Sequence, residues 1–128
     1  MDNEMKRLPD SELEIMMVLW EAGEPVSSAY VIEKLKGKRN WKITSVLTFL
    51  SRLAQKGFIS VEKDGKSNIY RPLIDEQDYL KYENRSFLEK LYGNSVTTFV
   101  SSLYNSKEIG EKELDELRRF IDEASKGE

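Results

Sequence analysis

Four polar side chains near the middle of the chain have the types and the spacing that could bind nucleic acid. Hydroxyl groups can hydrogen-bond phosphate oxygens or base edges, a threonine methyl can contact a thymine methyl, and an arginine can bind phosphate or guanine. Successive members of the set are one, three and four residues apart, so a helix would carry them on one side. A solvated helix face without a ligand is the alternative. The set consists of Thr44, Ser45, Thr48 and Arg52.

Three lysines accompany this set. Lys42 precedes the predicted helix, and Lys63 and Lys66 flank the dipeptide Asp64-Gly65, which is a strong signal for a two-residue hairpin turn. A hairpin beside a DNA-reading helix can touch the phosphate backbone, so these lysines are candidate DNA contacts. A charged hairpin that only favours solubility is the alternative.

The distribution of charge supports a polyanion-binding surface in the first half of the chain. The whole sequence has a net charge of −3, which by itself argues against a nucleic-acid partner. Residues 34–71, however, carry ten basic residues opposed only by Glu62 and Asp64, a local net charge of +8, whereas residues 72–128 carry −5. Such segregation is typical of a basic binding surface with an acidic remainder. Ordinary fluctuation of surface charge is the alternative.

The composition argues against an enzyme, a cofactor and a metal site. The sequence has no His and no Cys, which removes the commonest general base, the usual zinc ligands and the thiol nucleophile. The acidic clusters stand at predicted helix starts, where they complement the helix dipole, and no phosphate-binding or calcium-binding loop pattern occurs. No apolar run approaches the ~20 residues that span a bilayer. We therefore expect a cytoplasmic protein without enzymatic activity and without membrane insertion.

Three helices and a hairpin are predicted to position the candidate residues. Apolar residues at helical spacing predict a first helix capped by Asp10 or Ser11, a second over residues 27–35 and a third over 43–56, whose inward side includes Ile43 and Leu47. After Gly57 the apolar period changes to two, which predicts strands over 58–63 and 67–72. This order is the winged helix-turn-helix plan, in which the second helix of the pair enters the major groove of DNA.

The remaining chain predicts three amphipathic helices. Helices this short, in about 55 residues, cannot enclose a core of their own, so their apolar sides need a twofold partner or the first domain. We predict a mainly α fold with a small β-hairpin wing, in which residues 1–73 form a winged-helix DNA-binding domain and residues 74–128 a helical dimerisation domain. The predicted dimerisation residues are Phe87, Leu88, Leu91, Tyr92, Phe99, Val100, Leu103, Leu117, Phe120 and Ile121.

The order of several motifs resembles the BlaI/MecI penicillinase-repressor family. The segment from Leu8 to Trp20 is similar to the opening helix of that family, which a Trp closes. The stretch from Asn40 to Gly57 is similar to its recognition helix, and residues 87–93 are similar to the start of its dimerisation half. The resemblance covers about residues 7–123, nearly the whole chain.

This resemblance implies a homodimeric transcriptional repressor that binds a palindromic operator in double-stranded DNA and controls β-lactam resistance genes. It also implies relief by a protease linked to a membrane β-lactam sensor, at a bond that aligns with Ser102–Leu103, where some members have Asn-Phe. Lys42 and Ser45 stand where the family typically has Ser and Thr, a departure that bears on base preference. A regulator of other genes relieved by a small-molecule ligand and a protein-interaction module are the alternative functions.

Overall fold

A computed structural model describes residues 5–127 and confirms the predicted mainly α fold with a hairpin wing. Within these residues, no helix is long and apolar enough to cross a membrane. The helices are α1 (Asp10–Ala22), α2 (Ser28–Leu35), α3 (Ile43–Gln55), α4 (Glu76–Tyr92), α5 (Val96–Asn105) and α6 (Glu111–Lys126). The strands are β1 (Val26–Ser27), β2 (Ile59–Asp64) and β3 (Ser67–Pro72).

The strands form one antiparallel sheet in the order β1-β3-β2. Asp64 pairs with Ser67 across a turn that contains Gly65, whose φ of +69° suits glycine. Strand β1 is absent from the sequence prediction because two residues are too few to show an alternating pattern. Its second residue, Ser27, also caps α2, since its hydroxyl accepts a hydrogen bond of 3.2 Å from the N–H of Tyr30.

One apolar core joins α1, α2, α3 and the sheet. Helix α3 contributes Val46, Leu50 and Leu53, all of which are buried. They follow one another at the helical spacing of three and four residues, so they hold one side of α3 against the core and leave the other side outward. The further core residues include Ile15, Met16, Leu19, Val31, Phe58, Ile59 and Tyr70.

The start of α1 differs from the sequence prediction. The helix begins directly after Pro9, and no side chain caps it. Glu14, which could complete a capping box with Ser11 three residues before it, instead accepts hydrogen bonds from Arg39. A long-range ion pair therefore takes the carboxylate that a capping box would have used.

The inward placement predicted for Ile43 and Leu47 is also wrong. Their exposed fractions are 60% and 42%, because the buried line of α3 passes through Val46 and Leu50 rather than through its first residue. Trp41, which precedes α3 by two residues, is half-buried against the core and meets Phe49 edge-on, with ring centroids 5.1 Å apart.

The chain separates into two compact units, which meet in sequence after Glu83. Tyr79 of α4 is fully buried in the first unit. Its hydroxyl accepts a hydrogen bond of 2.8 Å from the N–H of Leu8 and donates one of 2.5 Å to the carboxylate of Glu83. Burial raises the pKa of Tyr79. The first unit therefore extends past residue 73, where the sequence places the domain boundary, because α4 begins as part of that core.

Candidate nucleic-acid interface

The structure brings the hydroxyl-bearing residues and the arginine together on the outward side of α3. Thr44, Thr48 and Arg52 are exposed, and Ser45 is half-buried at the edge of the same side. Lys42 is exposed and is the residue from which α3 begins. The outward side thus presents hydroxyls and two cations without competing carboxylates, since α3 itself contains no acidic residue.

The hydroxyl of Thr48 is partly committed within the helix. It donates a hydrogen bond of 2.9 Å to the carbonyl oxygen of Thr44, as helical threonines commonly do. The oxygen keeps its capacity to accept, and the methyl group remains for an apolar contact. With this hydrogen bond in place, Thr48 offers a ligand an acceptor and an apolar group.

The wing supplies the other predicted basic residues. Lys63 lies near the end of β2 and Lys66 lies in the turn, and both side chains are exposed. Arg71 of β3 forms an ion pair with Glu62 of β2 at 3.6 Å, so part of the positive charge of the hairpin is neutralised away from the turn.

Ion pairs divide the basic residues of the 34–71 segment into two groups. Lys36, Arg39, Lys56 and Arg71 each pair with a carboxylate. Within residues 5–127, no salt bridge involves the four basic residues of the predicted site, which are Lys42, Arg52, Lys63 and Lys66. The same holds for Lys34 and Lys38, so six of the ten basic residues keep positive charge that is available to a ligand, and four of these six lie at α3 and the wing, where the sequence predicts DNA contacts.

The segment before α3 is held to α1. Arg39 donates from Nε to Oε1 of Glu14 at 2.9 Å and lies over the ring of Trp41, 5.6 Å from its centroid. The hydrogen bond from Arg39 lowers the pKa of Glu14, and the positive charge of Arg39 adds to the effect, although partial burial opposes it. Because Trp41 packs on Phe49, this chain of contacts connects α1 to α3.

The segment after α3 is held to α1 as well. Glu12 is only 2% exposed, and its carboxylate pairs with the ammonium group of Lys56, the residue at which α3 ends. This pair is absent from the sequence-based predictions. Its signal was nevertheless present, because Glu12 lies three, four and seven residues before Ile15, Met16 and Leu19 and so occupies the apolar stripe of α1.

The second unit exposes the surface predicted for dimerisation. Neither α5 nor α6 has a buried residue, and every predicted dimerisation residue is at least partly exposed. Three aromatic rings cluster with centroids 5.2 to 5.6 Å apart: Phe87, Tyr92 and Phe99. An open groove of about 650 Å³ lies between α5 and α6, and its apolar lining includes Val96, Val100, Tyr104, Leu114, Leu117, Phe120 and Ile121.

The Ser102–Leu103 bond lies inside α5, and both residues are half-buried. The Ser102 hydroxyl donates to the carbonyl oxygen of Phe99 at 3.0 Å and lies 3.2 Å from the hydroxyl of Tyr92. The carbonyl oxygen of Ser102 accepts a hydrogen bond of 3.0 Å from the N–H of Ser106. The bond is thus part of a hydrogen-bonded helix.

Comparison with known proteins gives consistent matches over nearly the whole chain. The sequence model of the family described as Penicillinase repressor matches residues 8–123. The chain is 31% identical to the Penicillinase repressor of Bacillus licheniformis, over 93% of this chain and 94% of that protein. It is 28% identical to the Methicillin resistance regulatory protein MecI of Mammaliicoccus sciuri, over 94% of this chain and 98% of that protein.

Two solved structures match the first part of the chain. The DNA-binding domain of the repressor BlaI is 34% identical, with a TM-score of 0.53 over 59% of this chain and 92% of the matched chain. The monomeric form of Bacillus licheniformis BlaI in complex with the blaP half-operator is also 34% identical, with a TM-score of 0.50 and the same coverage. The winged-helix fold of this part agrees with both.

Proposed function

We propose that this chain, which belongs to the penicillinase repressor family, is a homodimeric transcriptional repressor of β-lactam resistance genes. Its winged helices would bind a palindromic operator. The observation that carries the proposal is the outward side of α3, where hydroxyl groups stand beside cations that no carboxylate within residues 5–127 neutralises. The half-operator bound to BlaI supports DNA as the ligand class.

Helix α3 enters the major groove in this proposal. Thr44 and Ser45 stand in its first turn, where residues of a recognition helix meet base edges. Arg52 stands two turns further along and reaches phosphate or guanine. The wing lysines, Lys63 and Lys66, contact the phosphate backbone beside the groove, so the two elements fix the register of the domain on the duplex.

Removing one phosphate contact should change the salt dependence of binding. We expect Arg52→Ala and Lys66→Ala each to weaken operator binding and to lower the slope of log K against log[salt] by about 0.9, the value for one released counterion. The measurement is a salt titration of binding to a duplex selected from a random pool. Lys112→Ala, which removes an exposed lysine from α6, is the matched control and should leave the slope unchanged. If both variants keep the parent's affinity and slope, the assigned surface is wrong.

The second unit provides the dimer contact in this proposal. Its exposed apolar residues are covered when a twofold-related copy packs against them, and a symmetric dimer presents the same surface from both protomers. A dimer also presents two α3 helices, which read half-sites about 34–36 Å apart or a multiple of that distance. This requirement is the physical reason for expecting a palindromic operator.

Relief of repression follows from cutting the second unit. A protease linked to a membrane β-lactam sensor would cleave Ser102–Leu103 and separate α6 from the rest of the chain. Because the bond lies within a hydrogen-bonded helix, and proteases bind extended backbone, α5 must unwind locally before cleavage. Loss of α6 would remove Leu117, Phe120 and Ile121 from the dimer contact.

Cleavage at this bond can be tested by mass spectrometry of the repressor recovered from cells that carry the sensor. After exposure to a β-lactam, we expect one fragment that ends at Ser102 and another that begins at Leu103. Untreated cells should contain only the intact chain. Release of the operator while the repressor stays intact would contradict the proteolytic route.

A further inference from the structure

Two large aliphatic side chains are exposed on the helix proposed to read DNA. Ile43 is 60% exposed and Leu47 is 42% exposed. They are one helical turn apart and adjoin Thr44 and Thr48 in sequence, so they border the polar side of α3 rather than the core. Apolar side chains in this position lose contact with water only when something packs on α3.

A B-DNA major groove offers one apolar group to a side chain at the base edges, the C5-methyl of thymine. We propose that Ile43 and Leu47 select thymine, by packing against thymine methyl groups in each half-site of the operator. This inference rests on the proposed function, because it requires α3 to lie in the major groove. It adds the apolar border of the helix to the polar residues of α3 as a source of base preference.

The charges around the two residues favour DNA as the occupant over a protein segment. Lys42 directly precedes Ile43, and Arg52 lies further along the same helix. Neither has a carboxylate partner within residues 5–127. Cations on an apolar border suit a surface that carries phosphates on its rim and methyl groups on its floor.

Thr48 extends the apolar border. Its hydroxyl donates to the carbonyl oxygen of Thr44 at 2.9 Å, and while it keeps this hydrogen bond it does not donate to a base. Its methyl group therefore adds to Leu47, which stands directly before it. The methyl groups of these side chains would make van der Waals contact with the C5-methyl of thymine. Cytosine has no methyl group on C5, so this contact discriminates thymine from cytosine.

The test compares thymine with deoxyuridine at single positions. Deoxyuridine lacks the methyl group but keeps every hydrogen-bonding group of thymine. Duplexes selected from a random pool by the full chain are resynthesised with one thymine at a time replaced. The proteins are the parent, Leu47→Ala, Ile43→Ala and, as the matched control, Met17→Ala, which removes a 47% exposed side chain from α1.

We expect the parent to lose about fourfold in affinity at one or two thymines of each half-site, the effect of one methyl group removed from an apolar contact. Leu47→Ala and Ile43→Ala should bind the thymine duplex more weakly, and each should be indifferent to deoxyuridine at the position it contacts. Met17→Ala should behave as the parent does.

Equal losses in all four proteins, or no loss at any thymine, would overturn the inference. In either case the selected duplex would still be bound, so the proposed function would stand. Failure to select any duplex from the pool would instead overturn the proposed function, and the inference with it.

Discussion

Phe120→Glu should yield a monomer that binds a two-half-site operator about 10²- to 10⁴-fold more weakly than the parent, the range over which linking two binding modules raises affinity. Phe120 is 68% exposed in the single chain. The substitution therefore costs the folded protomer little, but it places a carboxylate where a partner's apolar surface would pack. Burial of an unpaired charge is among the most costly changes an interface can suffer.

The oligomeric state and the operator affinity should change together. Sedimentation equilibrium measures the first, and titration of a palindromic duplex measures the second. Arg119→Glu is the matched control, because it introduces the same residue on the charged side of α6 and should leave the protein dimeric. Affinity for a single half-site should be nearly equal in the parent and Phe120→Glu. A dimeric Phe120→Glu protein would show that the apolar side of α6 is not the interface.

Lys56→Met should destabilise the first unit by about 3–5 kcal/mol, the cost of removing one partner from a buried ion pair. Glu12 is 2% exposed, so its carboxylate would remain in the core without its cation. The side chain of Lys56 is 33% exposed. Because water already solvates part of the pair, we expect a loss of stability toward the lower end of that range.

Denaturant unfolding monitored through Trp20 and Trp41 measures this effect. Lys36→Met is the matched control, since Lys36 pairs with Glu33 at 3.9 Å in a setting where both side chains are 76% exposed; exposed pairs of this kind contribute about 1 kcal/mol or less. The double variant Glu12→Leu with Lys56→Met should recover most of the stability, because it removes the buried charge along with its partner. Equal, small losses in both single variants would contradict the role assigned to the pair.

The polar side of α3 could be predicted from sequence because helical periodicity alone determines it. Thr44, Thr48 and Arg52 are outward once Val46 and Leu50 are inward. Periodicity does not determine where an apolar stripe ends, and for this reason the exposure of Ile43 and Leu47 was not predicted. That limit depends on the tertiary packing around the helix, in which Val46 and Leu50 reach the core and Ile43 and Leu47 do not.

The two ion pairs that hold the segments before and after α3 could not be predicted from local sequence patterns, for a different reason. Glu12 and Lys56 are separated by 44 residues, and Glu14 and Arg39 by 25, so their pairing depends on the tertiary fold. The buried position of Glu12 in the apolar stripe of α1 was readable, but the sequence does not show which cation meets it. For the proposed dimer contact, amphipathic spacing predicts the apolar side of α6, whereas the partner that would cover it depends on a second chain.

In the proposed complex, two copies of the chain bind one operator through basic, salt-sensitive contacts. Sedimentation velocity of the full chain with a selected palindromic duplex, at several salt concentrations, tests it most directly. We expect two chains per duplex and an affinity that falls steeply as salt rises. Association that is independent of salt, or one chain per palindrome with the affinity of a single half-site, would rule out this mode of operator binding.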